Sequence, residues 1–498
     1  MKAYLGIDIG TFESKGVLVD ETGRILASAA SPHKMLVPQP GWAEHRPRED
    51  WWDDVTHISR ALIAETGIAP ADIRSVGMSA IGPCMLPVDA EGTPLMNAVL
   101  YGVDTRAARE IEDLTAAIGE DAILDGCGNA LTSQSVGPKI LWLKRNRPEI
   151  FARTHKILNS TSYLVHRLTA AFTIDHYSAS STSPLYLVDQ LGYGDALTRE
   201  IVDLAMLPEP SWTTDIAGGV TARAAEETGL AEGTPVIVGT IDAAAEAVSV
   251  GVLDPGDMML MYGSTIFIIA ITPERVRDPR LWYAPWLFPG QHASMSGLAT
   301  SGTLTHWFRD NLARDLDPAT AMITLAAEAE GSPPGARGLV LLPYFSGERT
   351  PIHDPFAKGV LFGLNLTHGR GDIYRALLEG IANGTNHVLE TYLEAGADPA
   401  AIYAVGGGTK NAVWSQATSD VSGRTQIIRD KTIGASYGDA FLAALAVGDV
   451  RREDIRSWNP VASEVAPDAK TAAVYGRQYQ VFKDLYGRTH DLMRRLDG

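Results

Sequence analysis

Two stretches of the chain, some 250 residues apart, follow one pattern: a strand, a turn of small residues and a second strand. The first runs from Leu5 to Ile9, turns at Gly10-Thr11, resumes at Gly16 to Asp20, and continues through Glu21-Thr22-Gly23 into Arg24 to Ser28. The second runs from Met258 to Tyr262, turns at Gly263-Ser264-Thr265, and resumes at Ile266 to Ile271 as a buried hairpin. Between them, Trp51 to Glu65 carries Val55, Ile58 and Leu62 at helical spacing, and Ile73 to Met78 reads as a strand. Strands alternating with helices predict an α/β fold, and repetition at the scale of a whole domain predicts two similar lobes. The lobes are read as residues 1–245 and 246–498, with the punctuation Asp254-Pro255-Gly256-Asp257 just beyond the join. A chain of 498 residues exceeds one ordinary core, so a site in a cleft between lobes is expected.

Charge and cysteine usage narrow the function classes. Forty-two Lys and Arg against 60 Asp and Glu leave a formal charge of -18, which repels polyanionic backbones. The basic runs Lys144-Arg145-Asn146-Arg147 and Arg451-Arg452 are too short to overturn that, so no nucleic-acid partner is expected. Two cysteines, Cys84 and Cys127, fit a reducing compartment. The amino terminus meets Asp8 before a signal-like apolar run develops, and the most apolar later stretch is broken by Gly263-Ser264-Thr265. A cytoplasmic protein with no membrane partner is expected. The 12 His residues show no HExxH or paired ligand spacing, which argues against a metallohydrolase.

Three constellations could carry chemistry. In Asp8-Ile9-Gly10-Thr11, with Ser14 and Lys15 following, a strand ends in a carboxylate able to hold a hydrated divalent cation, and Gly10 admits a phosphate to the backbone. Thr11, Ser14 and Lys15 add donors; the plain alternative is a polar hairpin turn. In Gly239-Thr240-Ile241-Asp242, a carboxylate precedes an alanine-rich helical run. It could be a helix cap, or a base that accepts the proton of a substrate hydroxyl attacking phosphorus. In Gly406-Gly407-Gly408-Thr409-Lys410-Asn411, three glycines after a short strand let a base or ribose lie against backbone, and Asn411 can hydrogen-bond it. This is neither the dinucleotide fingerprint nor a Walker loop.

Small-residue turns near residues 10, 240, 263 and 407 resemble the ribonuclease H-like fold shared by actin, hexokinase and the sugar kinases. More specific segments resemble the FGGY carbohydrate kinase family. They are Gly41-Trp42-Ala43-Glu44-His45-Arg46-Pro47 with Trp51-Trp52, then Lys139-Ile140-Leu141-Trp142-Leu143, then Pro343 to Pro351 leading into Gly359-Val360-Leu361-Phe362-Gly363-Leu364 and Ala376-Leu377-Leu378-Glu379. The resemblance implies an enzyme that phosphorylates a hydroxyl of a small sugar or polyol with ATP and Mg2+. It implies that Asp8 positions the metal, that Gly10 and Thr11 meet the terminal phosphates, and that Asp242 is the general base. Gly263, Ser264 and Thr265 match a second phosphate turn, Gly302 a residue near the nucleotide, and Gly406, Gly407 and Asn411 an adenosine site.

The sugar site departs from the family pattern. Ile81-Gly82 stands where D-xylulose kinases show Met-His and glycerol kinases Arg-Glu, while Asp104 and Arg106 match the family's Asp-x-Arg. Gly102 occupies the place of a common Trp, Phe12 that of a Ser or Thr, and Lys15 that of an Arg. D-xylulose or a related pentulose ranks first as acceptor, ahead of a pentitol, tetritol, other ketose or aldonic acid; a homodimer is left open. Two rivals are a non-enzymatic, nucleotide-gated sugar sensor and a serine hydrolase built on Gly434-Ala435-Ser436-Tyr437-Gly438 with Asp439 and His490. The charged Arg429-Asp430-Lys431 ahead of it does not read as the strand such a hydrolase needs.

Overall fold

The computed structural model describes residues 2–194 and 201–496. It divides into two compact units: Met1–Leu253 with Tyr283–Ala293 and Ile433–Pro460, and Asp254–Trp282 with Ser294–Thr432 and Val461–Gly498. The division therefore falls later than a cut after residue 245, and the first unit takes back two segments from far down the chain.

The first unit is built on the meander read from the sequence: β1 (Ala3–Ile9), β2 (Glu13–Asp20) and β3 (Ile25–Pro32). Helix α1 (Asp53–Thr66) follows, then β4 (Ile73–Ala80), β5 (Ile216–Gly219) and β6 (Pro235–Ile237). The sheet order is β5-β6-β4-β1-β2-β3, with Thr240–Ile241 also pairing β4. β1 lies antiparallel to β2 and parallel to β4, whereas β4 is parallel both to β6 and to Thr240–Ile241. Ile7, Val76 and Met78 from the sheet join Trp51, Ile58 and Leu62 in a fully buried core, which is why the helical spacing around α1 was legible. Immediately after Thr240–Ile241 begins α2 (Asp242–Ser249).

The second unit repeats the plan. β7 (Asp257–Tyr262) and β8 (Ile266–Thr272) form the hairpin, followed by α3 (Gly302–Leu312), the long α4 (Arg370–Glu394), β9 (Ala401–Val405), α5 (Ala412–Ser422), β10 (Gln426–Arg429) and β11 (Val461–Val465). Its sheet contains the order β8-β7-β9-β10-β11. The β7 pairings, antiparallel to β8 and parallel to β9, match those of β1 with β2 and β4. Leu260, Ile268, Leu378, Ile381 and Trp414 lie in its core.

Helix α6 (Ala435–Ala446) belongs to the first unit. It lies backbone to backbone on the sheet. A Cβ on Gly6 would collide with the Ser436 carbonyl, and one on Gly77 with the Asp439 carbonyl. Gly438 lets α6 press equally close to α2 at Ala245. That packing fixes where Asp439 points. Ser436 is fully buried in the first turn of α6, so although a strand, β10, does precede the GxSxG match, no exposed nucleophile results.

Candidate active site

The carboxyl ends of neighbouring parallel strands are where an open α/β sheet exposes groups to a ligand. In the first unit Asp8 faces Ser79 across β1 and β4, Thr240 faces Ser79 on its other side, and Asp242 opens α2 directly afterwards. The register thus delivers Asp8, Ser79 and Asp242 to one edge.

Charge accumulates there. Burial pushes the Asp242 carboxyl up to about 7, against one stabilising hydrogen bond from the Ala243 N–H to Oδ1 at 2.7 Å and with the Glu246 charge adding to the rise. Asp8 is raised well above the ordinary carboxylate range, first by burial and then by Asp242 and Glu246, while Lys15 and Ser79 pull the other way. Both carboxylates are closely surrounded by protein yet keep part of their surface open to solvent. The Ser79 hydroxyl donates to Asp439 Oδ2 at 2.7 Å and stands 3.4 Å from Asp8 Oδ1. Asp439 is completely buried, its Oδ1 has no hydrogen-bond partner among the described residues, and burial followed by the Asp8 charge raises its pKa far above normal. Asp439, Glu246 and Ser79 were not singled out as members of this cluster, because only α6 packing and the Asp242-to-Glu246 helical spacing bring them in.

At the turn, Gly10 N–H donates to Glu13 O at 3.0 Å, and a Cβ on Gly10 would stand 2.8 Å from that carbonyl. The Thr11 hydroxyl lies 3.3 Å from the hydroxyl of Tyr101, a residue absent from the expected set, and Tyr101 is kept protonated by burial. Phe12 projects into solvent and Lys15 is exposed beside Glu13, with 3.2 Å between Lys15 Nζ and Glu13 Oε2.

Several expected contacts are turned inward. Ser14 is fully buried and donates to Asp54 at 2.6 Å, because alternation along β2 points it beneath the sheet and not toward the turn. Ile81 is buried, its N–H held by Ile9 O at 2.7 Å and its carbonyl by the Ser160 hydroxyl; Gly82 has Ile241 where a side chain would be. Asp104 and Arg106 have no exposed side-chain surface. The guanidinium bonds Asp104 at 2.8–3.0 Å and Glu44 at 2.8 Å, and it stacks 3.8 Å over Trp42; Asp104 also holds the Ala43 N–H at 2.7 Å. This pair braces the loop around Gly102 instead of presenting its charges. Lys139, pulled down to about 8 by burial, holds the Leu100 and Tyr101 carbonyls at 2.5 and 3.0 Å. Cys84 is a core residue whose thiol burial pushes up to about 12.

In the second unit the expected nucleotide residues do converge. Gly302, the first residue of α3, donates its N–H to Gly263 O at 3.0 Å, and a Cβ there would approach that carbonyl to 2.5 Å. Ser301 and Thr303, not foreseen, bind Gly263 O and Ser264 O through their hydroxyls at 3.0 Å each. Thr265 closes the turn by accepting the Gly263 N–H at 3.1 Å. Gly406, with φ at 92°, follows β9 and lies against Tyr262 at the end of β7, so its bend and the Gly263 turn share one sheet edge. Gly407 is exposed beside it; Asn411 Oδ1 caps α5 by accepting the Trp414 N–H at 3.1 Å.

Among the described residues no group of three or more His, Cys, Asp or Glu is arranged to hold a metal ion by itself. Asp8, a partly open carboxylate at the end of β1, still fits a magnesium ion, which keeps waters and takes one or two carboxylates together with phosphate oxygens. No helix among those described is long and apolar enough to cross a membrane.

Two α/β sheets of matching order, each with a small-residue turn at the carboxyl end of its first strand, define a two-lobed chain of the actin and hexokinase type. Residues 3–249 match the model of the FGGY family of carbohydrate kinases, N-terminal domain, and residues 258–447 that of the C-terminal domain. The chain belongs to the FGGY carbohydrate kinases, ATP-dependent enzymes acting on sugars. It is 29% identical over 496 residues to a xylulose kinase of Escherichia coli, covering 98% of this chain and 100% of that one. It is 27% identical to a xylulose kinase of Bacillus subtilis, covering 99% of this chain and 98% of that one. The crystal structure of a xylulose kinase from Rhodospirillum rubrum superposes with a TM-score of 0.91 at 31% identity, covering 99% of this chain and 100% of that one.

Proposed function

We propose that this sugar kinase transfers the γ-phosphoryl group of ATP to a hydroxyl of a pentulose, with D-xylulose the first choice and Asp242 the general base. The observation that carries the proposal is the position of Asp242, the first residue of α2, beside the strand ends that bring up Asp8 and Ser79 and with part of its surface open, where burial lifts its pKa to about 7. With Oδ1 tied to the Ala243 N–H, Oδ2 is the oxygen free to act. As the acceptor oxygen attacks the γ-phosphorus, its proton passes to Asp242, the bond from phosphorus to the β,γ-bridging oxygen breaks, and ADP leaves. Little covalent help is needed, so position and charge compensation dominate. Gly10, Thr11 and Lys15 are assigned to the terminal phosphates, as are Gly263, Ser264, Thr265 and Gly302. Gly406, Gly407 and Asn411 are assigned to the adenosine. Asp8 would hold Mg2+ through water, and that ion, when bound, offsets negative charge on the phosphate oxygens. Relatives named as xylulose kinases support the choice of acceptor. Ile81 and Gly82 bring no polar side chain, so the acceptor screen must extend past pentuloses to pentitols, tetritols, other ketoses and aldonic acids. ADP release measured across that panel with ATP and Mg2+ tests the reading. D-xylulose giving the highest kcat/KM supports it. Binding of sugars without turnover of any would replace it with a nucleotide-gated sensor.

A further inference from the structure

Beneath the first phosphate turn lies a group of buried polar side chains that the reaction itself does not use. His33, just past β3, has only 5% of its side chain exposed and touches the turn twice. Its backbone N–H donates to Phe12 O at 3.0 Å, and its ring Nε2 lies 2.9 Å from Gly10 O. The other ring nitrogen, Nδ1, lies 2.9 Å from Asp54 Oδ2. Asp54, in the first turn of α1, also accepts the Ser14 and Ser31 hydroxyls at 2.6 Å each.

The partners of the two ring nitrogens point to a doubly protonated ring. A carbonyl can only accept, so Nε2 carries a hydrogen. Burial works against the charge of Asp54, but the bonds it accepts from His33 and from the Ser14 and Ser31 hydroxyls outweigh it and hold its pKa below normal. Its facing oxygen therefore also accepts, and Nδ1 carries a hydrogen as well. His33 is an imidazolium. Its neighbour His45, edge-on with ring centroids 5.0 Å apart, accepts the Trp51 indole N–H on Nδ1 and stays neutral, its pKa drawn down to about 4 by burial and the His33 charge. The Asp50 charge also acts on His33 and favours its protonated form.

The consequence for the turn follows from peptide planarity. In a trans peptide the C=O of Gly10 and the N–H of Thr11 point in opposite directions. A cationic ring that pulls the Gly10 carbonyl down from below therefore aims the Thr11 N–H upward, on the side away from His33. We infer that His33, held by Asp54 and Ser14, is a positioning residue that presets the Thr11 N–H of the turn for the terminal phosphates of ATP. The inference rests on the reading of Gly10-Thr11 as the phosphate turn. It also gives the inward-facing Ser14 a function, since that hydroxyl helps keep Asp54 ionised.

Calorimetric affinities for AMP-PNP, which carries the terminal phosphates, and AMP, which lacks them, provide the test. His33→Leu is expected to weaken AMP-PNP about ten- to a hundredfold, the worth of a hydrogen bond involving a charge, while AMP stays within about twofold. His33→Gln, which keeps a donor for Gly10 O without the charge, should fall between Leu and the native residue; if His33→Leu does not fold, it decides alone. AMP-PNP binding within about twofold of native, or an equal loss for AMP, overturns the positioning role. Gly10→Ala separates this from the parent reading, because its Cβ crowds Glu13 O at 2.8 Å and distorts the turn directly. Unchanged AMP-PNP affinity in Gly10→Ala removes the phosphate turn altogether, whereas loss there with none in His33→Leu removes only the part played by His33.

Discussion

Replacing Asp242 with Asn is the most direct challenge to the chemistry. The amide is isosteric, and its oxygen can still accept the Ala243 N–H, so the start of α2 should hold. Turnover should fall about 10²- to 10⁴-fold, the range for loss of a general base, equivalent to about 2.7–5.4 kcal/mol of barrier. Binding of ATP should survive, because the like charge next to Asp8 disappears. The same carboxyl predicts the pH profile of the native enzyme. With a pKa of about 7, roughly one molecule in ten carries the free base at pH 6 and nine in ten at pH 8, so kcat/KM for the sugar should rise about tenfold across that interval. Initial rates from coupled ADP release, at saturating ATP and fixed ionic strength, measure both effects. A variant keeping more than about a tenth of native turnover, or a flat native profile from pH 6 to 8, would refute the assignment.

Three further outcomes follow from the same geometry. Glu246→Gln keeps an acceptor for the Ala435 N–H but removes a charge that raises Asp242, so the acid limb of the kcat/KM profile should move to lower pH. Asp439 has a folded pKa well above its unfolded value, so its contribution favours the fold at low pH and is lost as pH rises through the folded pKa. Thermal melts should accordingly show Asp439→Asn gaining on the native protein between pH 5.5 and 8, and a constant difference would contradict the burial argument. Gly77→Ala drives a Cβ into the Asp439 carbonyl of α6; urea unfolding should show a loss of roughly 3 kcal/mol or more, with activity falling as the Ser79–Asp439 contact shifts.

The amino-acid sequence alone made the two hairpins, the turn at Gly10, the Gly263-Ser264-Thr265 turn and the carboxylate at Asp242 legible. Each is a short-range pattern in which neighbouring residues set their own backbone. It also placed the glycine bend at 406–408, since a positive φ at Gly406 is a local demand. What a side chain does at those places was not local. Ser14 and Lys15 are adjacent, yet one is buried under Asp54 and the other stands in solvent. Asp104 and Arg106 looked ready for a sugar until Trp42 and Glu44 closed over them. Asp439, far along the chain from Asp8, enters the same electrostatic cluster only because Gly6 and Gly77 let α6 rest on the sheet backbone. Proton affinity depends on burial and on charges a few ångströms away through space. Those distances come into being only when the strands and helices pack, and so the tertiary structure, not the order of residues, set the proton affinities of Asp8, Asp242 and Asp439.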